Sequence, residues 1–107
     1  MNAATEPLYV DDINAEYVCQ LFKQLGDPNR LRIVCALLER PQCVADLAAE
    51  VGMEQSALSH QLKNLKNASL VRCERQGRQI VYSLDDSHVL AILVQALDHA
   101  EHVRKGE

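Results

Sequence analysis

Residues 43–67 read CVADLAAEVGMEQSALSHQLKNLKN, which contains two helical patterns separated by a glycine turn. Apolar residues recur at helical spacing up to Val51, and Gly52 then ends the helix, because glycine readily adopts the left-handed conformation of a helix C-terminus. A second helix follows over roughly residues 54–67. Three leucines share one face of this second helix: Leu58, Leu62 and Leu65. A short helix, a glycine turn and an amphipathic helix predict a helix-turn-helix.

Two more helices are predicted upstream. The first begins near Asp11 or Asp12, whose charges suit a helix N-terminus, and it ends before Gly26. The second opens at Asp27-Pro28, because aspartate caps a helix and proline fits its first turn. Pro41 closes the second helix, since the residue before a proline disfavours the helical conformation.

A hairpin and a long helix are predicted downstream. Strands over residues 70–75 and 78–84 surround Gln76-Gly77. Alternate residues of the second strand are expected to point inward: Ile80, Tyr82 and Leu84. The last helix starts near Asp86 and runs to about Arg104, and apolar residues nearly encircle it. We therefore expect its own domain to cover one side and a partner chain to cover another.

These elements predict a mainly α fold with a β-hairpin wing, in the α+β class. Their order, α-α-α-α-β-β-α, is that of a winged helix-turn-helix. At 107 residues the chain has room for one such domain. We expect residues 11–105 to form it, with dimerisation helices at both ends, and residues 1–10 to form a flexible N-terminal arm.

Composition narrows the class of protein. No apolar run is long enough for a membrane span, and the N-terminus lacks the features of a signal peptide, so we expect a cytoplasmic protein without a membrane partner. The four cysteines show no CxxC pairing, which favours reduced thiols. The net charge is -4, but residues 54–80 carry five basic against two acidic side chains, a local +3. A basic segment on an acidic protein is typical of a phosphate-facing surface.

The second helix of the helix-turn-helix and the wing therefore predict binding to double-stranded DNA. In such folds this helix enters the major groove and the wing reaches flanking phosphates. We assign the helix contacts to Ser56, Ser59, His60 and Gln61. We assign the phosphate contacts mainly to Lys63, Arg75 and Arg78. The alternative is a solvated amphipathic helix and a charged turn with no ligand.

The last helix carries a candidate metal site that one chain cannot complete. Asp86-Ser87-His88 is followed, after ten residues, by His99-Ala100-Glu101-His102. His88 and His99 are about 16 Å apart along a helix, whereas a metal holds its ligands at roughly 2 Å. A second copy of the helix, running antiparallel, could bring the two ends together. The spacing thus points to a homodimer with metal at its seam; the alternative is an ordinary aspartate cap and solvated histidines.

Four segments together resemble the ArsR/SmtB family of bacterial metal-sensing repressors. They are residues 22–33, FKQLGDPNRLRI; residues 43–48, CVADLA; residues 56–63, SALSHQLK; and residues 75–78, RQGR. The resemblance covers roughly residues 12–104. It implies a dimeric winged-helix repressor that binds a palindromic operator without metal and releases it with metal, and it implies that Ser56, Ser59 and His60 contact DNA.

Within that family the histidine spacing resembles the branch that senses zinc through its C-terminal helices. The resemblance implies two symmetric sites, each joining Asp86 and His88 of one subunit to His99 and His102 of the other. Three imidazoles and one carboxylate suit tetrahedral Zn²⁺, with Co²⁺ as a surrogate, and four protein ligands leave no open position for catalysis. We therefore expect no enzymatic activity.

Other ligands remain as alternatives. Nickel sensors of the same branch recruit further ligands, but this chain has no histidine before His60 and none after His102. Cys43 and Asp46 match half of a second metal site known in the family, which is expected to be weak or vestigial here. A thiol- or arsenical-responsive repressor using Cys43 is one rival function. A dimer held by purely structural zinc is another.

Overall fold

The structure, a computed structural model, describes residues 10–106. It contains five helices and three strands within this range. They are α1 (Asp12–Leu25), α2 (Pro28–Ala36), β1 (Gln42–Cys43), α3 (Val44–Val51), α4 (Gln55–Asn67), β2 (Val71–Gln76), β3 (Gln79–Leu84) and α5 (Ser87–Arg104). The winged helix-turn-helix is confirmed, with α3 and α4 as its two helices and β2 and β3 as its wing. The proposed arm at residues 1–10 lies outside the described residues, except for Val10.

Local capping chemistry sets the starts of the first two helices as the sequence predicts. Asp11 caps α1 by accepting the backbone N–H of Asn14 at 2.7 Å. Asp27 caps α2 by accepting the backbone N–H of Arg30 at 3.0 Å, and Pro28 occupies its first turn.

The two helices of the helix-turn-helix end in the same way. Gly52 has φ +71° after α3, and the next N–H, that of Met53, donates to Ala48 at 3.1 Å. After α4, Ser69 has φ +59°, and the N–H of Leu70 donates to Leu65 at 3.0 Å. Both are Schellman endings, which satisfy carbonyls that a helix C-terminus leaves without partners. Ser69 takes this conformation without the advantage of glycine.

The core lies where α2, α3, α4 and the N-terminal half of α5 meet. All three leucines predicted on one face of α4 are fully buried there. The hydrophobic core comprises Ile33, Val34, Leu37, Leu47, Ala48, Val51, Leu58, Leu62, Leu65, Leu70, Val71, Val89 and Leu93. Burying this face of α4 turns its polar face outward.

The sheet differs from the expected hairpin in having a third strand. The order is β1-β3-β2, with both pairs antiparallel, and Gln42 lies opposite Tyr82. At two residues, β1 is too short to show periodicity. The side-chain amide of Gln42 also donates to the carbonyl of Ala36 at 2.9 Å, which satisfies the end of α2. This contact anchors the segment that carries the chain from α2 to α3.

Three local expectations are wrong. Helix α2 ends at Ala36, well before Pro41, because Leu37 and Leu38 form tighter bonds to carbonyls three residues back. The two-residue turn of the wing is Gly77-Arg78, because Gln76 pairs with Gln79. Ile80 is exposed instead of inward, since the outer half of the wing extends past the core; Tyr82 and Leu84 pack against the core as expected.

No helix within residues 10–106 combines the length and the apolar character that a membrane span requires.

Candidate functional site

The outer face of α4 presents polar side chains to solvent. Ser56, Ser59, His60 and Lys63 are all exposed. The Ser56 hydroxyl donates to the Glu54 carboxylate at 2.7 Å, so it retains its oxygen lone pairs as acceptors. The buried leucines hold this face outward, because rotating the helix would expose the core.

Three of the five basic side chains in residues 54–80, the segment that spans α4 and most of the wing, remain available to bind an anion. Two of the five cations in this segment are engaged within the domain: Lys66 Nζ lies 3.3 Å from Cys73 Sγ, and Arg72 Nε lies 3.5 Å from Ser83 Oγ. The remaining three are exposed and have no protein partner in the described part of the chain: Lys63, Arg75 and Arg78. They lie on α4 and at the wing tip, which are the two elements predicted to meet phosphates.

Gln61 differs from its neighbours on α4. It is half-buried, and its side-chain carbonyl accepts a hydrogen bond from Arg30 Nη1 at 3.4 Å. The same guanidinium donates through Nε to the backbone carbonyl of Gln24 at 2.9 Å. The position of Gln61 on the polar face of α4 predicts a DNA contact, but the local sequence gives no sign of its bond with Arg30, thirty-one positions away.

The first pair of candidate metal ligands lies at the start of α5. Asp86 caps this helix: its Oδ1 accepts the backbone N–H groups of Val89 at 3.1 Å and His88 at 2.9 Å. Its Oδ2 lies 3.4 Å from His88 Nδ1. These hydrogen bonds, that from Val89 foremost, lower the pKa of Asp86, so the carboxylate form is favoured. The side chain of His88 is 89% exposed and can turn toward a ligand.

The second pair lies near the other end of α5. The rings of His99 and His102 stack at a centroid separation of 6.4 Å and an angle of 20°. Both side chains are exposed. Within residues 10–106 of one chain, no three histidine, cysteine or carboxylate groups lie close enough together to hold a metal ion. The chain thus brings each pair of donors together but does not join the two pairs.

Helices α1 and α5 both expose apolar side chains. Only Val89 and Leu93 of α5 are buried in the domain. The exposed large apolar residues of α5 are Leu90, Val94, Leu97 and Val103. Those of α1 and its approach are Val10, Ile13, Tyr17, Val18 and Phe22. Such a concentration of exposed apolar surface on two helices is typical of an interaction face.

Comparison with known proteins identifies the family. Residues 27–72 match the model of the bacterial regulatory proteins of the arsR family. The chain is 46% identical over 105 residues to the HTH-type transcriptional regulator NmtR of Mycobacterium tuberculosis, covering 98% of this chain and 86% of that protein. The chain belongs to the ArsR family.

Two further comparisons agree with that membership. The chain is 41% identical over 87 residues to a transcriptional repressor SmtB homolog of Synechocystis sp., covering 81% of this chain and 66% of that one. The solution structure of apo-NmtR matches with a TM-score of 0.74 and 45% identity, covering 91% of this chain and 82% of that one. This ArsR-family chain is therefore a winged helix-turn-helix transcriptional regulator that binds DNA, and it is not an enzyme.

Cys43 and Asp46, the pair considered for a second metal site, find no further metal donor nearby among the described residues. Cys43 occupies the N-cap position of α3 and is half-buried, while Asp46 lies exposed in the first turn of that helix. The two belong to no group of three metal donors among the described residues. Cys35 is also half-buried, and burial raises the pKa of its thiol, which disfavours the reactive thiolate.

Proposed function

We propose that this ArsR-family regulator is a homodimeric repressor that binds a palindromic operator without metal and releases it when Zn²⁺ binds between subunits. The observation that carries this proposal is the arrangement of α5. Its two ends hold two exposed donor pairs, Asp86 with His88 and His99 with His102, and an exposed apolar stripe runs between them.

The apolar stripe supports the dimer. Leu90, Val94 and Leu97 recur at helical spacing on α5 and are each at least 40% exposed. A second copy of α5 packed antiparallel on this stripe would remove these side chains from water. The same packing would set the first donor pair of one subunit beside the second pair of its partner. Dimerisation would therefore bring the four donors of each site within reach of one metal ion.

The donor set fits zinc. Asp86, His88, His99 and His102 offer one carboxylate and three imidazoles, a combination suited to a closed tetrahedral site. Asp86 would bind through Oδ2, since Oδ1 already accepts two backbone N–H groups. When bound, Zn²⁺ supplies a bridge between the two α5 helices. Cobalt and nickel are alternative metals, and a metal titration series distinguishes them, because nickel favours additional ligands.

The DNA-binding role falls to α4 and the wing. The exposure of Ser56, Ser59 and His60 on the outer face of α4 supports their assignment to base edges and phosphates. Lys63, Arg75 and Arg78 supply the attraction to phosphates. The two α4 helices of a dimer must match half-sites about one helical turn apart, so a change in the angle between subunits weakens both contacts at once.

The shared site is tested by complementation between subunits. One variant carries Asp86→Ala and His88→Ala, the other His99→Ala and His102→Ala. Neither homodimer holds a complete site, but a heterodimer carrying two different affinity tags holds one. We expect one tightly bound Co²⁺ per heterodimer, two per wild-type dimer and none in either variant homodimer, measured by the cobalt absorption of a tetrahedral site. A heterodimer without cobalt would contradict the intersubunit arrangement.

A further inference from the structure

Arg30 lies in α2 and contacts both α1 and α4, the helix proposed to read DNA (the reading helix). Its backbone N–H belongs to α2, where it donates to the cap residue Asp27. Its guanidinium donates to two carbonyls near the end of α1, that of Gln24 at 2.9 Å and that of Lys23 at 3.5 Å. The same guanidinium donates to the side chain of Gln61 on α4 at 3.4 Å. One side chain thus contacts the backbone of α1 and the side chain of a residue on α4.

The bonds to α1 have a clear physical basis. Lys23 and Gln24 lie in the last turn of α1, where the final carbonyls have no partner within the helix. A cation is also favoured there by the helix dipole. Arginine suits this position better than lysine, because its planar fork directs several N–H donors at once. The two carbonyls of α1 thereby hold the guanidinium in the orientation in which it contacts Gln61 of α4.

The bond to Gln61 limits what that residue can do. Its carbonyl oxygen is engaged with Arg30, and the residue is half-buried, whereas Ser59 and His60 beside it are exposed. A glutamine that reads adenine in the major groove uses its carbonyl and its amide together. Turning the half-buried side chain outward to present both groups to a base would break its bond with Arg30.

We propose that Gln61 is a positioning residue that, through Arg30, ties the reading helix α4 to the end of α1, and that it does not read bases. Helix α1 carries part of the exposed apolar surface. If that surface forms the proposed dimer interface, the Arg30 bridge connects the interface to the DNA-reading surface. The proposal that Gln61 does not read bases does not depend on zinc. It can therefore be tested on the metal-free protein.

A charge introduced at Gln61 distinguishes the two roles. Gln61→Glu places a carboxylate against Arg30, where it is attracted, whereas a carboxylate facing DNA is repelled by phosphates. We expect Gln61→Glu to change the operator dissociation constant by less than about threefold, because an ion pair replaces a hydrogen bond from the same guanidinium to a neutral acceptor. The matched control is His60→Glu on the exposed face. It should weaken binding by about thirtyfold or more, as loss of a base contact together with repulsion requires.

The dependence on Arg30 completes the test. In an Arg30→Met background, Gln61→Glu should weaken operator binding by about tenfold relative to Arg30→Met alone, because the carboxylate loses its partner. If Arg30→Met does not fold, as judged by circular dichroism, Arg30→Gln is used, since glutamine is polar but carries no charge to pair with the carboxylate. The proposal is overturned if Gln61→Glu is as harmful as His60→Glu, or if its effect is the same with and without Arg30. Loss of wild-type operator binding would instead contradict the DNA-binding function itself.

Discussion

Replacing the two wing arginines should reduce the salt dependence of operator binding. Lys63, Arg75 and Arg78 are exposed and without protein partners in the described residues, so each is able to neutralise one phosphate. A dimer carries six such side chains. Each neutralised phosphate contributes about 0.9 to the slope of log affinity against log salt, so the six contribute a slope of about -5. Arg75→Gln with Arg78→Gln removes four of them and should leave about -2.

The difference is large enough to measure directly. Between 50 and 200 mM salt, the wild-type contribution corresponds to a loss of roughly a thousandfold in affinity, and that of the double variant to roughly tenfold. Fluorescence anisotropy of a labelled operator duplex over this range gives both slopes. The matched control is Arg104→Gln, because Arg104 is paired with Glu101 at 2.7 Å near the end of α5. An unchanged slope in the wing variant, or an equal change in the control, would refute the assignment.

Three further outcomes are expected. Gly52→Ala should lower the free energy of unfolding by about 1 kcal/mol, because the left-handed φ strains alanine, and Gly52→Asn should cost less; urea denaturation measures both, and equal stability of all three proteins would argue against the strain. The hydrogen bonds to Asp86 lower its pKa, so this cap stabilises the fold at pH values above the ordinary carboxyl range and loses that contribution as the pH falls through the lowered pKa. In the metal-free protein, Asp86→Asn should therefore keep the cap but lose this pH dependence of thermal unfolding. If the pH dependence persists in the variant, another group causes it. Replacing all four cysteines with serine should leave zinc-dependent release of the operator intact, and its loss in a folded variant would favour the thiol-responsive alternative instead.

Local chemistry accounts for the parts of the fold that were predictable. The Asp27-Pro28 start of α2 and the Gly52 ending of α3 depend on residues within a few positions of each other, so the pattern alone indicates them. The buried face of α4 follows from leucine spacing. These features place the polar face of the reading helix correctly without any knowledge of distant contacts.

Strand β1 and the inward bond of Gln61 were missed because each depends on a contact with a residue far along the chain. Strand β1 exists because Gln42 pairs with Tyr82 and bonds to Ala36, neither of which is a neighbour in sequence. The inward bond of Gln61 depends on Arg30 in another helix. No periodicity within a single helix could have revealed either contact. The histidines of α5 differ, because the ten residues between His88 and His99 separate the two donor pairs too far for one helix to join them. This spacing alone predicts that a second chain is needed to complete the metal site.

Zinc-dependent release of the operator is the most direct test of the proposed mechanism. Operator affinity of the wild-type dimer is measured by anisotropy without metal, with saturating Zn²⁺, and after chelation. Zinc should weaken binding by about tenfold or more, within the range of ordinary allosteric coupling, and chelation should restore it. His99→Ala should bind the operator without metal as the wild type does and should not respond to zinc. Unchanged affinity at demonstrated zinc occupancy, or comparable loss of metal-free binding in His99→Ala, would contradict a zinc-released repressor.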